Sequence, residues 1–135
     1  IIGNGSLERD IKKDSQTKII NFLPPKELAK EIEKYGCFIL PSRLEQWGLV
    51  LHELAIAGFP IICSDICGAA PVFVIKNYNG FIFKSNQVSD LEKQILRVIN
   101  MDDSDLKLFG ERSHKVGERI TPEISAASFL SVLSD

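Results

Sequence analysis

The stretch PSRLEQWGLVLHELAIAGFPIICSD, residues 41–65, decides the fold of this chain. Trp47-Gly48 opens an apolar run over residues 49–57, and this run predicts a helix that is mostly buried because it is apolar on all sides. Gly58 ends the helix, since glycine tolerates the backbone conformation that follows a last helical turn. Residues 61–63 are apolar without interruption and predict a buried strand.

Short apolar runs and helical patterns alternate along the rest of the chain. Further strands are predicted at residues 37–40 and 81–83, with a weaker β-rich run at 18–23. Helices are predicted at residues 7–13 (capped by Ser6), 25–34, 91–100 (capped by Ser89 or Asp90), 106–120 and 122–133, with a short helical piece through residue 75. This alternation is typical of βαβ units, so we expect an α/β domain with a three-layer, Rossmann-like parallel sheet.

Bulk composition narrows the class of protein. The chain has 135 residues, 44% hydrophobic and 25% charged, with a formal net charge of -2, which fits one globular domain. No basic stripe favours nucleic acid, and no apolar run approaches the roughly 18 residues of a membrane span. The three cysteines fit buried free thiols and a cytoplasmic setting, although peripheral membrane association of a longer protein stays open. No metal-binding spacing is apparent.

Two carboxylates flank the start of the helix predicted at residues 49–57. Ligands of parallel sheets bind outside the carboxyl ends of the strands, where we expect the loops 3–6, 42–48 and 64–70. The helix N-terminus behind Gly48 suits a phosphate or diphosphate. Glu53, in the second turn, could accept hydrogen bonds from the two hydroxyls of a ribose, and Glu45, in the loop, from a sugar. The alternative is that both glutamates are solvated surface residues, but the loop, the glycine, the buried helix and the strand end together favour a ligand site.

Three further features give weaker evidence for functional residues. Gly3 and Gly5 resemble half of a dinucleotide fingerprint, but Glu8 stands where the third glycine is needed, so a tight turn is an equal interpretation. His52 lies on the apolar helix and is interpreted as a packing or edge residue. His114 is expected on a solvated helix face.

The segment 41–65 resembles the signature of retaining GT-B glycosyltransferases of the group 1 type, which use nucleotide sugars. The matching positions are Pro41-Ser42, Glu45, Trp47-Gly48, Glu53 and residues 57–60, and further matches are Gly3-Asn4-Gly5, Phe22-Leu23-Pro24, Gly68 and Asn79-Gly80. The resemblance covers nearly the whole chain. It implies the C-terminal half of a GT-B fold, with residues 1–135 forming a single nucleotide-sugar-binding domain that lacks its first strand and the N-terminal acceptor domain.

The resemblance also implies roles for individual residues. Glu45 would lie near the transferred sugar as the catalytic carboxylate, and Glu53 would contact the ribose. The turn formed by Gln46, Trp47, Gly48 and Leu49 would meet the sugar hydroxyls and the diphosphate, and Gly3, Gly5, Phe22 and Leu23 would lie near the nucleoside. The donor would be a UDP- or GDP-linked sugar and no other cofactor is implied. The partners would be this donor and the acceptor domain.

Two positions depart from the family pattern. Gln46 stands where the family usually has glycine, and Val72 stands where it usually has glutamate. The family's arginine and lysine that face the leaving diphosphate would lie upstream of Ile1. The alternatives are therefore a non-catalytic nucleotide-binding or scaffold module on the same fold, and another enzyme of this fold such as a nucleotide-sugar epimerase or a glucan synthase.

Overall fold

The computed structural model describes residues 1–11 and 15–132. A 3-10 turn spans Ser6–Asp10, and the elements that follow are α1 Pro25–Ile32, β1 Phe38–Leu40, α2 Leu49–Ile56, β2 Ile61–Ser64, α3 Ala70–Phe73, β3 Gly80–Phe83, α4 Val88–Ile99, α5 Asp103–Gly117 and α6 Pro122–Val132. The chain divides into two compact units, Ile1–Tyr35 and Gly36–Asp135. No helix among the described residues is long and apolar enough to cross a bilayer.

The first unit holds less regular structure than its sequence predicts. The β-rich run at residues 18–23 forms a single parallel bridge, between Ile2 and Ile20, instead of a strand. Ser6 does not cap a helix, because it is already the first residue of the 3-10 turn. The end of the helix predicted at residues 7–13 lies outside the described residues.

Glu31 of α1 is bonded to two lysines and a tyrosine. Its carboxylate accepts hydrogen bonds from Lys34 at 2.5 Å, Lys18 at 2.9 Å and Tyr35 at 3.0 Å. These three donors, Lys34 most of all, lower the pKa of Glu31 to about 2, since each stabilises the ionised form. Glu31 therefore stays charged at neutral pH and links Lys18 to α1.

The second unit is built on a parallel sheet in the order β1-β2-β3. The register pairs Phe38 with Ile61 and Ile61 with Gly80, so the three strands end at the same edge. All four residues of β2 are buried, as predicted. β1 is only half-buried, with Ile39 exposed, so the prediction of a buried strand there was wrong. Among the described residues, β1 lies at the edge of this sheet and pairs only with β2.

Helices cover both faces of the sheet, which confirms the three-layer α/β prediction. Alternate residues of a strand face opposite ways. Ile61 and Cys63 belong to a core with residues of α2 and α3, whereas Ile62 joins a second core with Phe81, Phe83 and Phe109. Leu91, Ile95 and Val98 of α4 pack against this second core, as the helical pattern predicted.

The starts of two helices differ from the predictions. α4 begins at Val88, and neither Ser89 nor Asp90 caps it. Asp90 instead accepts the Lys84 N–H at 2.8 Å, and this bond lowers the pKa of its carboxyl. α5 begins at Asp103, three residues earlier than predicted, because the Asp102 side chain accepts the Asp105 N–H at 2.8 Å and caps the helix.

Candidate functional site

Two of the loops predicted at the ligand edge are joined by hydrogen bonds. We call the residues 42–48 after β1, together with residues 64–69 at the end of β2 and beyond it, the two-loop edge. The Ser64 hydroxyl donates to the Ser42 carbonyl at 2.8 Å. The Gly68 N–H donates to the Glu45 carbonyl at 3.3 Å and the Ala69 N–H to the Trp47 carbonyl at 2.8 Å. The loops meet because β1 and β2 are adjacent and parallel, so both strands end on the same side.

Gly48 is required by the start of α2. Its φ of 90° and ψ of 61° lie in the left-handed region, where L side chains are strained. A Cβ at this position would also lie 3.2 Å from the Glu45 Cγ and 3.5 Å from the Leu40 Cδ2. The Glu45 side chain therefore lies directly against Gly48, the residue just before α2. No side chain among the described residues caps α2, and the Leu51 N–H donates to the Gly48 carbonyl at 2.9 Å. The N–H groups of Leu49 and Val50 remain available to a ligand.

Glu53 lies on an exposed face of α2. The helix buries Leu51, Leu54 and Ala55, but Leu49 is 60% exposed and Ile56 39% exposed. The prediction that α2 is mostly buried was therefore wrong, because an all-apolar sequence does not show which side faces the core. Glu53 is exposed, and its carboxylate makes no hydrogen bond or ion pair with any described residue. It is free to accept hydrogen bonds from a ligand.

Both histidines contact backbone carbonyls of neighbouring helices. The His52 ring stacks on Phe73 with centroids 4.4 Å apart, and its Nε2 lies 3.1 Å from the Gly117 carbonyl oxygen. This confirms the interpretation of His52 as a packing or edge residue. His114 is exposed as expected, but its Nδ1 lies 2.5 Å from the Ile56 carbonyl oxygen at the end of α2. Sequence reasoning missed this contact, since no local pattern links residues 58 positions apart.

The three cysteines are free thiols. Cys63 and Cys67 are buried and Cys37 is half-buried. Burial raises the pKa of Cys63 and of Cys37 to about 12, because an apolar environment disfavours the thiolate. Within residues 1–11 and 15–132, no group of three or more His, Cys, Asp or Glu side chains is placed to hold a metal ion.

The remaining predicted site residues lie in the first unit. Gly3 has a φ of 129° and donates its N–H to the Ile20 carbonyl at 2.8 Å, so its conformation explains the glycine. A Cβ on Gly5 would meet no atom within 4 Å. Phe22 is 76% exposed and Leu23 is half-buried. Their roles near a nucleoside stay predictions.

A groove of about 780 Å³ lies on the second unit and contains none of the predicted site residues. It is formed by α4 and the two residues after it, by Phe81 of β3, by Phe109 in the middle of α5 and by the turn before β3, with Arg97 along its wall. The Arg97 guanidinium lies 4.0 Å above the Phe81 ring and donates to Asn77 at 2.7 Å and to Gln94 at 3.2 Å. The Arg97 guanidinium is therefore engaged within the protein, whereas Lys93 also lines the groove.

Residues 1–119 match the family model of the Glycosyl transferases group 1, and the chain therefore belongs to this family. Its fold is that of a GT-B glycosyltransferase domain. An uncharacterized glycosyltransferase of Methanocaldococcus jannaschii, MJ1178, is 29% identical over 129 residues, which cover 91% of this chain and 36% of that protein. A D-inositol 3-phosphate glycosyltransferase of Streptomyces bingchenggensis is 28% identical over 120 residues, 87% of this chain and 26% of that protein.

Solved structures agree on the fold. The crystal structure of TarM superposes with a TM-score of 0.82 at 20% identity, covering 99% of this chain and 28% of that one. Sucrose-phosphate synthase from Thermosynechococcus elongatus gives a TM-score of 0.74 at 20% identity, over 87% of this chain and 29% of that one. The chain thus spans about a third or less of the length of these relatives.

Proposed function

We propose that this chain is the donor-binding half of a retaining glycosyltransferase that uses a UDP- or GDP-linked sugar. The observation that carries the proposal is the uncapped start of α2 at Gly48, with the Glu45 side chain beside it and the loop after β2 bonded to the same turn. Membership of the glycosyltransferase family supports the reaction class.

The diphosphate of the donor would lie at the start of α2, where free N–H groups and the helix dipole favour negative charge. Glu53 would accept hydrogen bonds from the ribose hydroxyls, since its carboxylate is exposed and unpartnered among the described residues. Glu45 would lie near the transferred sugar. Gln46, Trp47 and Leu49 would complete the turn around the sugar and the diphosphate.

Glycosyl transfer separates charge, because the diphosphate leaves as an anion while the sugar becomes oxocarbenium-like. Fixed donors aimed at the leaving group lower this barrier. The start of α2 would supply part of that stabilisation, and further cations and an acceptor domain would come from a longer protein. We therefore expect this chain alone to bind nucleotide weakly and to turn over little nucleotide sugar.

One observation favours a second candidate, a nucleotide-binding module without catalysis. Val72 stands at the position where the family pattern has glutamate, and its side chain is 36% exposed on α3. A module of this kind would bind nucleotide at the same edge but would not transfer sugar, even in the full-length protein. Sugar transfer by the full-length protein would therefore exclude it.

Amide NMR on the ¹⁵N-labelled chain tests where nucleotide binds. Titration with UDP or GDP should move the amide resonances of residues 45–50 and 67–69, because both segments meet at the two-loop edge. Uridine and guanosine are the matched controls: without a diphosphate, they should leave the amides of Gly48, Leu49 and Val50 nearly unchanged. Shifts confined to the groove residues 93–101, or none with either nucleotide, would contradict the proposal.

A further inference from the structure

The loop after β2 makes a close, specific contact with the turn that carries Glu45. Gly68 packs so tightly that a Cβ there would lie 2.0 Å from the Gln46 carbonyl oxygen and 3.4 Å from the Trp47 Cα. Such a distance is far below any real contact of a Cβ. The φ of Gly68 is not in the left-handed region, so close approach and not backbone conformation requires the glycine.

Ser64 makes the contact at the other end of the same loop. Its side chain is fully buried, and its hydroxyl donates to the Ser42 carbonyl at 2.8 Å while lying 3.4 Å from the Cys67 Sγ. The segment 42–48 is therefore held at its start by the Ser64 hydroxyl, and further along by the N–H groups of Gly68 and Ala69. The Ser64 hydroxyl hydrogen is donated to the Ser42 carbonyl and the Gly68 N–H to the Glu45 carbonyl, so neither hydrogen is available to a nucleotide sugar.

α3, which directly follows this loop, packs against the Trp47 ring. The Trp47 ring meets the Phe73 ring edge to face, with centroids 6.5 Å apart. Phe73 is itself buried and stacked against His52 of α2. The side chain of Trp47 therefore rests on a fixed surface, although it is 47% exposed to solvent on its outer side.

We propose that Ser64 and Gly68 are positioning residues that set the geometry of residues 45–48 for the donor without touching it. This inference rests on the proposed function for its link to the donor, but the positioning itself is a property of the fold. Loop and turn would move as one body, so displacing the loop would displace the Glu45 backbone and the start of α2 together.

Trp47 is the only tryptophan of the chain and provides a built-in probe of this geometry. The variants are Gly68→Ala, which forces the loop off the turn, and Ser64→Ala, which removes one hydrogen bond and a single oxygen atom. The matched control is Gly110→Ala, whose Cβ would lie 2.5 Å from the Gly58 carbonyl oxygen, a comparable overlap between α5 and the end of α2. The measurements are Trp47 emission, acrylamide quenching and UDP and GDP affinity, on samples with wild-type far-UV circular dichroism.

Gly68→Ala should shift Trp47 emission to longer wavelength, increase its quenching and weaken nucleotide binding by on the order of 10- to 100-fold. Ser64→Ala should change the Trp47 emission, its quenching and the nucleotide affinity in the same directions, but by smaller amounts. Gly110→Ala should lower the melting temperature and leave Trp47 and the affinity as in the wild type.

Wild-type Trp47 emission and quenching in folded Gly68→Ala would overturn the inference. If Gly68→Ala does not fold, wild-type Trp47 emission and quenching in Ser64→Ala would overturn the inference instead. A wild-type chain that binds neither UDP nor GDP would count against the proposed function, and the fluorescence comparison would then decide the positioning alone. Altered fluorescence with unchanged affinity would also overturn the inference, because the loop would not set the donor site.

Discussion

Asn79→Ala should lower the free energy of unfolding by about 3 kcal/mol or more. Asn79 is fully buried in the turn before β3 and uses both ends of its amide. Its Oδ1 accepts the Ile75 N–H at 2.7 Å, and its Nδ2 donates to the Phe73 carbonyl at 2.9 Å and to the Ser113 hydroxyl at 3.2 Å. Alanine would leave the buried Phe73 carbonyl and Ser113 hydroxyl, and the part-buried Ile75 N–H, without their partner, and an unpaired buried polar group costs more than the bond it loses.

Urea denaturation followed by circular dichroism measures this loss. Asn100→Ala is the matched control, since Asn100 is exposed and no hydrogen bond of its side chain is described. Its effect should stay within about 0.5 kcal/mol. A loss below about 1 kcal/mol for Asn79→Ala would show that water replaces the three bonds, and the account of this turn would be wrong.

Gly80→Ala should destabilise the second unit by a comparable amount, about 3 kcal/mol, through steric overlap. Gly80 is the first residue of β3 and pairs with Ile61 in the centre of the sheet. An added Cβ would lie 2.2 Å from the Ile61 carbonyl oxygen and 3.0 Å from the Val74 Cγ1. Because the closest atom belongs to the backbone of β2, the strands themselves would have to separate.

Gly36→Ala is the control for this prediction. Its Cβ would meet only the Leu106 Cδ2, at 3.3 Å, and this end of a flexible side chain can move aside. The same urea measurement should therefore find little change for Gly36→Ala and a large loss for Gly80→Ala. Equal losses in the free energy of unfolding would mean that replacing any glycine destabilises the chain, and that the contact of Gly80 with β2 is not the cause.

The sequence predicted the parts of the fold that depend on local pattern. β2 and β3 were each placed within one residue, and α2 began at Leu49 as predicted, because apolar runs bounded by glycine and proline mark their own ends. The side on which α2 is exposed was not predictable, since residues 49–57 are nearly uniform in polarity. The starts of α4 and α5 also differed, because several acidic or hydroxyl residues stand near each start.

The sequence predicted where the candidate site lies but not the contacts that hold it. Two loops after parallel strands were expected at one edge, and hydrogen bonds join them. The sequence marked Gly68 only as a family position, because its contact with Gln46 joins residues 22 apart with no periodicity to reveal it. For the same reason, no pattern pointed to the contact of Ser64 with Ser42. The roles of Glu45 and Glu53 stay predictions until a donor is tested.

The most direct test of the central claim is the thermal shift of this chain with UDP, GDP and ADP, compared between the wild type, Glu53→Ala and Glu92→Ala. Glu92 is an exposed glutamate of α4 that lines the groove beside Arg97. A nucleotide at 100 times its dissociation constant should stabilise the wild type by about 2.7 kcal/mol, a rise in melting temperature on the order of 10 °C.

We predict this rise with UDP or GDP for the wild type and Glu92→Ala, and a much smaller rise for Glu53→Ala, because the ribose would lose its acceptor. Equal rises in all three proteins, or a rise lost only in Glu92→Ala, would contradict a donor site at α2.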